Sequence, residues 1–135
     1  MEAINTAERG IDGRVFTALP IDASRGFPQT FPVLYGGRTF HFSLYVNVPA
    51  AALDETTDYL ELPSGDAFMV AHVERETAGG QRETVFLRKV VPGLVYEFDT
   101  IAVVFTRQRV ARRNLNGRGD FGSQVNGGIA PRWAS

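Results

Sequence analysis

The chain has no cysteine, and in 135 residues it has one lysine, one tryptophan, two methionines and two histidines. Without cysteine there are no disulfides, no thiolate nucleophile and no thiolate metal ligand. His41 and His72 alone leave too little imidazole for a histidine-rich metal site. No apolar run approaches the length of a membrane span. The start, MEAINTAERG, lacks the basic stretch followed by an apolar one that marks a secretory signal. These absences set the expectation of a soluble protein made in a cytoplasm and free of any membrane. The length suits one domain, large enough to bury about two-thirds of its unfolded surface without a covalent staple.

The net charge of -1 conceals a division. From Arg107 onward six arginines stand against Asp120 alone, a net +5, so the rest of the chain carries -6. Arginine in place of lysine points to carboxylate or phosphate contacts, because the planar guanidinium fork pairs with both.

The stretch Thr30 to Val48, TFPVLYGGRTFHFSLYVNV, is the strongest structural signal. Apolar residues alternate on both sides of Gly36-Gly37, which predicts a β-hairpin with a two-residue primed turn. That turn sets Tyr35 against Arg38, Val33 against Phe40 and Phe31 against Phe42. One face then carries the large apolar side chains. The other carries Leu34, Thr39, His41, Ser43, Tyr45 and Asn47, and Pro32 must sit where no ladder donor is needed.

Residues 1–13 read as a peripheral N-terminal segment with a short helical turn around Ala3 to Arg9. Arg14 to Leu19 is a strand candidate and Asp22 to Gln29 a loop. Pro49 to Thr56 offers one or two helical turns, since proline suits a first turn and alanine favours helix. Pro63-Ser64-Gly65-Asp66 is a turn, and Phe68 to Val73 and Thr84 to Val91 form a second hairpin about Gly79-Gly80. Its register is ambiguous. A two-residue loop pairs Val73 with Phe86 but opposes Glu76 to Glu83. A three-residue loop pairs Val73 with Val85, and the cost of facing like charges favours it slightly. Leu94, Tyr96 and Phe98, then Ile101, Val103 and Phe105, alternate as further strands. Many short strands punctuated by turns, with no helix long enough for a crossover, predict an all-β fold: a small antiparallel β-sandwich or partly closed barrel over residues 14–110.

Residues 111–135, ARRNLNGRGDFGSQVNGGIAPRWAS, contain five glycines, no periodicity and isolated large apolar residues. They read as an extended Arg/Gly-rich arm that orders against a partner, with Phe121 and Trp133 as anchors. The candidate partner-binding residues are Arg107, Arg109, Arg112, Arg113, Arg118, Phe121 and Trp133, together with Asp54, Glu55 and Asp58 from the acidic run Asp54 to Asp66. The acids and arginines would meet between neighbouring copies or subunits and fix their register. The spacing of the acids does not match a helix-paired calcium loop, and an acidic body speaks against nucleic acid. Arg118-Gly119-Asp120 matches an adhesion tripeptide but reads as a turn. His41 and Ser43 share a strand face, yet no nucleophile elbow or phosphate loop accompanies them. The sequence therefore reads as non-enzymatic, with no cofactor and no metal.

With Leu19-Pro20-Ile21-Asp22, then FPVLYGGRTFHFSLYVNV, then a compact β meander, the chain resembles small virion proteins of tailed bacteriophages, in particular the β-rich plug family of contractile-tail baseplates. The resemblance spans Leu19 to Thr106, and Val110 to Ser135 departs from it. It implies a structural component of a phage tail or baseplate, of plug, hub or tail-tip type. Such a component would be made in the bacterial host's cytoplasm and packed in the virion against other tail proteins and copies of itself. The alternative reading is a stand-alone β-sandwich module binding a ligand, carbohydrate or host surface, with Tyr35, Tyr45 or Tyr59 gathered in a groove.

Overall fold

The Gly36-Gly37 pair closes the hairpin that the pattern predicts. Both glycines have positive φ (59° and 78°), as a primed turn demands. They join β3 (Gln29–Tyr35) to β4 (Arg38–Asn47). The register is the expected one, with Tyr35 opposite Arg38, Val33 opposite Phe40 and Phe31 opposite Phe42. Phe31, Phe40, Phe42 and Leu44 are buried, and the Phe31 and Phe42 rings stack with centroids 5.5 Å apart. Pro32 lies on β3, an edge strand, where a missing donor breaks no ladder. On the opposite face Leu34 remains 74% exposed.

This structure, a computed structural model, describes residues 8–11, 13–53 and 57–133. The remaining strands are β1 (Glu8–Ile11), β2 (Arg14–Ala18), β5 (Tyr59–Glu61), β6 (Phe68–Glu76), β7 (Arg82–Val90), β8 (Val95–Phe98), β9 (Ile101–Ala111) and β10 (Gln124–Pro131). They form two antiparallel sheets packed face to face, without closure into a barrel. One has the order β3-β4-β6-β7. The other runs β1-β2-β10-β9-β5, with β8 also paired to β9. Pro49 to Thr56 yields a single 3-10 turn over Ala50–Ala52, and 54–56 lie outside the described residues. The helical turn expected around Ala3 to Arg9 falls largely outside them too, and its end is the strand β1.

The β6–β7 hairpin uses both candidate registers. Near the tip Glu76 faces Arg82 and Arg75 faces Glu83, the pairing of a three-residue loop, whereas Val73 faces Phe86, that of a two-residue loop. A β-bulge between Val73 and Glu74 shifts the register. The tip thus avoids opposed glutamates, and the base keeps Phe86 on the core, where its ring stacks on Phe98 at 4.4 Å.

A second bulge organises β9. Phe105 pairs with Gly127, but Arg107 pairs with Asn126, so Thr106 is the extra residue. Before it Ile101, Val103 and Phe105 face the inter-sheet core; after it Gln108 and Val110 are buried instead. The opposite face of β9 is also covered, since Ala102 and Val104 are buried with Phe16 and Ala130.

The described part of the segment expected to be an extended arm, residues 111–133, is folded into the domain. β10 lies between β9 and β2, with Val125, Ile129 and Ala130 buried. The domain does not end at residue 110, because the last strand completes the larger sheet. Its alternation is present as Val125, Gly127 and Ile129, with a glycine hiding the middle position. A Cβ on Gly127 would lie 3.1 Å from the Leu19 and Phe105 side chains, so the gap in the pattern is a packing requirement.

Candidate functional site

The bulge at Thr106 turns Arg107 and Arg109 away from the core, and β5 pairs alongside with Glu61 opposite Arg109. The Glu61 carboxylate sits 3.7 Å from Arg107 and 3.6 Å from Arg109, and the Arg109 guanidinium stacks 4.0 Å from the Tyr59 ring centroid. One member of the acidic run, Glu61, therefore meets Arg107 and Arg109 of the basic run within one chain, because β5 and β9 are neighbours in one sheet. Both ion pairs are partly exposed and contribute at most about 1 kcal/mol each. Asp58 is exposed, and its carbonyl accepts a bond from the Arg112 backbone N–H at 2.8 Å. Asp54 and Glu55 lie outside the described residues.

Beyond β9 the chain makes a 3-10 turn, Arg112–Asn114, and a loop built on Asn114, a fully buried side chain. Its Nδ2 donates to the carbonyls of Gly117 and Gly119, both at 3.0 Å, and its Oδ1 accepts from Ser123 Oγ at 2.6 Å. Ser123 Oγ in turn accepts the Ala111 N–H. The loop is sewn to residues 24–27: Phe27 N–H donates to Asn114 O, Asn116 N–H to Phe27 O and Gly119 N–H to Ser24 O. The approach of the two segments needs glycine, since a Cβ on Gly26 would stand 2.1 Å from the Gly117 carbonyl oxygen. Gly119 of the Arg-Gly-Asp tripeptide is part of this stitching.

This loop fixes the remaining predicted residues. Arg113 stacks over the Phe121 ring at 4.3 Å, and Tyr59 Oη donates to the Phe121 carbonyl. Tyr59, Phe121, Arg112 and Arg113 border a cleft of about 320 Å³. Arg118 is exposed and, with Arg25, borders a second cleft of about 270 Å³. Trp133 stands apart from this cluster. It is 53% exposed and packs 4.6 Å from the Arg14 guanidinium. Arg14 also bonds Glu97 at 2.8 Å and the Pro131 carbonyl, so in this chain Trp133 joins a latch that closes β10 onto its own sheet. The Trp133 N–H and Arg14 hold the Glu97 carboxyl below its ordinary value. Bonds from the Ser24 hydroxyl and N–H, and then the Arg25 charge, do the same for Asp22.

Elsewhere the polar groups are engaged in cross-strand contacts. His41 Nε2 lies 2.7 Å from Glu76, His72 Nε2 lies 2.9 Å from Thr84 Oγ1, and the Ser43 hydroxyl meets Thr30. No group of three metal-ligating side chains converges among the described residues. Tyr35 and Tyr45 belong to the smaller sheet and Tyr59 to the larger. Arg25, Gln108 and Asn114 escape the sequence reading. Gln108 is buried and straps the two sheets, donating to the carbonyls of Leu62 and Val90 at 3.2 Å each. The Asn-x-Asn-Gly run at 114–117 signals a side-chain-closed turn and is the cue that could have exposed Asn114. No protein family, curated protein or solved structure matches this chain.

Proposed function

We propose that this chain is a non-enzymatic structural subunit of a bacteriophage tail or baseplate, of plug, hub or tail-tip type. In the virion it assembles with other tail proteins and copies of itself. The observation that carries this reading is the arginine-bearing end of the sandwich. Arg112, Arg113 and Arg118 are displayed on a loop that Asn114 has already ordered, and Arg25 on the 3-10 turn bonded to it, so a partner meets a formed surface and little entropy is lost on docking. The sheet edges add to it. β7 is a nine-residue edge strand without proline, and the 59% exposed Leu87 lies on it, a geometry open to strand addition. The resemblance over Leu19 to Thr106 supplies the setting, and the arginine loop is what this chain adds to that pattern.

The test is genetic. A phage lacking this gene should make incomplete tails that the wild-type chain restores and an R112Q/R113Q/R118Q chain does not. Intact tails without the gene, or full restoration by the triple variant, would refute the proposal.

A further inference from the structure

We infer that the arginine-bearing end holds a two-compartment docking cleft for an acidic peptide segment of another protein, one that places an apolar side chain next to carboxylates. This rests on the structural role proposed above and names the chemistry of the partner. The wall between the compartments is Phe27-Pro28. On one side Val46, Val48, Leu53 and Leu115 line a hollow of about 220 Å³ with no charged group among its described lining residues. On the other, Arg25, Gln29, Gly117 and Arg118 line the cleft of about 270 Å³. Phe27, Pro28 and Asn116 border both, so one short extended segment can fill the two together.

Among the described residues neither guanidinium of the cationic compartment forms an ion pair, and Arg25 feels the Asp22 carboxylate only through space. Among the described residues Arg25 hydrogen-bonds the Thr30 carbonyl, at 3.4 Å. The nearby Asp22 carboxylate is turned onto Ser24, accepting its N–H at 3.0 Å and its hydroxyl at 2.6 Å. Arg118 meets no carboxylate among the described residues. Gln29 is committed to the Asp22 and Gly26 carbonyls and serves as a rigid floor. Two guanidiniums with open donors, next to an apolar hollow, complement a carboxylate next to an apolar side chain. The bonds between Phe27 and the Asn114 and Asn116 backbone hold both walls, so the cleft is formed before a partner arrives.

The experiment is selection of random peptides of about twelve residues on the immobilised full-length chain, a length that spans both compartments. The winning peptide is then titrated into labelled protein. The expected winners carry Asp or Glu next to Leu, Ile, Phe or Met and shift the amide signals of Phe27 and Leu115 to Arg118. An R25Q/R118Q chain, changed only at exposed positions, should keep its unfolding midpoint and bind about tenfold more weakly or worse. A separate Val48→Ser chain should weaken binding through the apolar compartment. Winners without that pairing, binding that both variants leave unchanged, or inorganic sulfate or a single-stranded oligonucleotide alone reproducing the shifts would each overturn the inference. Failure here in a protein that is found in virions removes this cleft and leaves the structural role standing. Peptide binding by a protein absent from virions does the reverse.

Discussion

Replacing Asn114 with alanine tests whether the arginine loop is held in one shape. The side chain is fully buried and makes three hydrogen bonds, two donated to Gly117 and Gly119 and one accepted from Ser123. Each contributes roughly 1 kcal/mol net, and the substitution strands two carbonyls in a partly buried site, so the expected loss is about 3 kcal/mol. Against a total stability on the order of 5–15 kcal/mol that is a large fraction. Urea unfolding should show a lower midpoint at unchanged slope. Hydrogen exchange should accelerate at the Asn116 and Gly119 N–H groups, which the loop now protects. An Asn114→Asp chain should lose at least as much near neutral pH, because a carboxylate replaces the donor that faces two carbonyl oxygens. A loss below about 0.5 kcal/mol in the alanine variant, the range of ordinary surface changes, would refute the idea that this side chain organises the loop.

Deleting residues 111–135 removes β10 and the buried Val125 and Ile129, each contributing on the order of 1.5–3 kcal/mol. The truncated chain should show no cooperative thermal transition by circular dichroism, and a folded product would contradict the topology. Gly127→Ala should cost roughly 1–3 kcal/mol by crowding Leu19 and Phe105. By contrast Gly79→Ala, in open space, should stay within about 0.5 kcal/mol in the same melt. The Glu97 carboxyl is depressed in the folded chain. Its contribution is therefore present above the ordinary value of 4.5 and is lost as pH falls through the lowered folded value. Trp133 fluorescence should report release of the C-terminal latch in that acidic range, and Glu97→Gln should abolish the pH dependence; an unchanged acid transition in that variant would remove Glu97 from the latch.

Much of the fold is legible in the residues because the β3–β4 pattern is uninterrupted and its glycine pair admits one turn. Register becomes unreadable where a bulge intervenes. The extra residue in the β6–β7 hairpin lets the tip satisfy charge pairing and the base satisfy burial, and each of the two simple registers accounts for one end of the ladder. At Thr106 a bulge likewise flips which residues of β9 face the core. β10 is concealed by Gly127, whose missing side chain erases the middle of an alternating triplet. For the site, the concentration of arginine is visible in composition, but its neighbours are not. Glu61 reaches Arg107 and Arg109 through sheet pairing, and Arg25 joins Arg118 only because two glycine backbones cross at Gly26 and Gly117.

The most direct measurement of the proposed role is quantitative mass spectrometry of tailed particles purified from cultures in which the gene for this chain is expressed from its native genome. The structural role predicts the protein in fixed, whole-number ratio to known tail components, retained after high-salt washing. Its absence from the particles, or a trace amount that varies between preparations, would contradict that role.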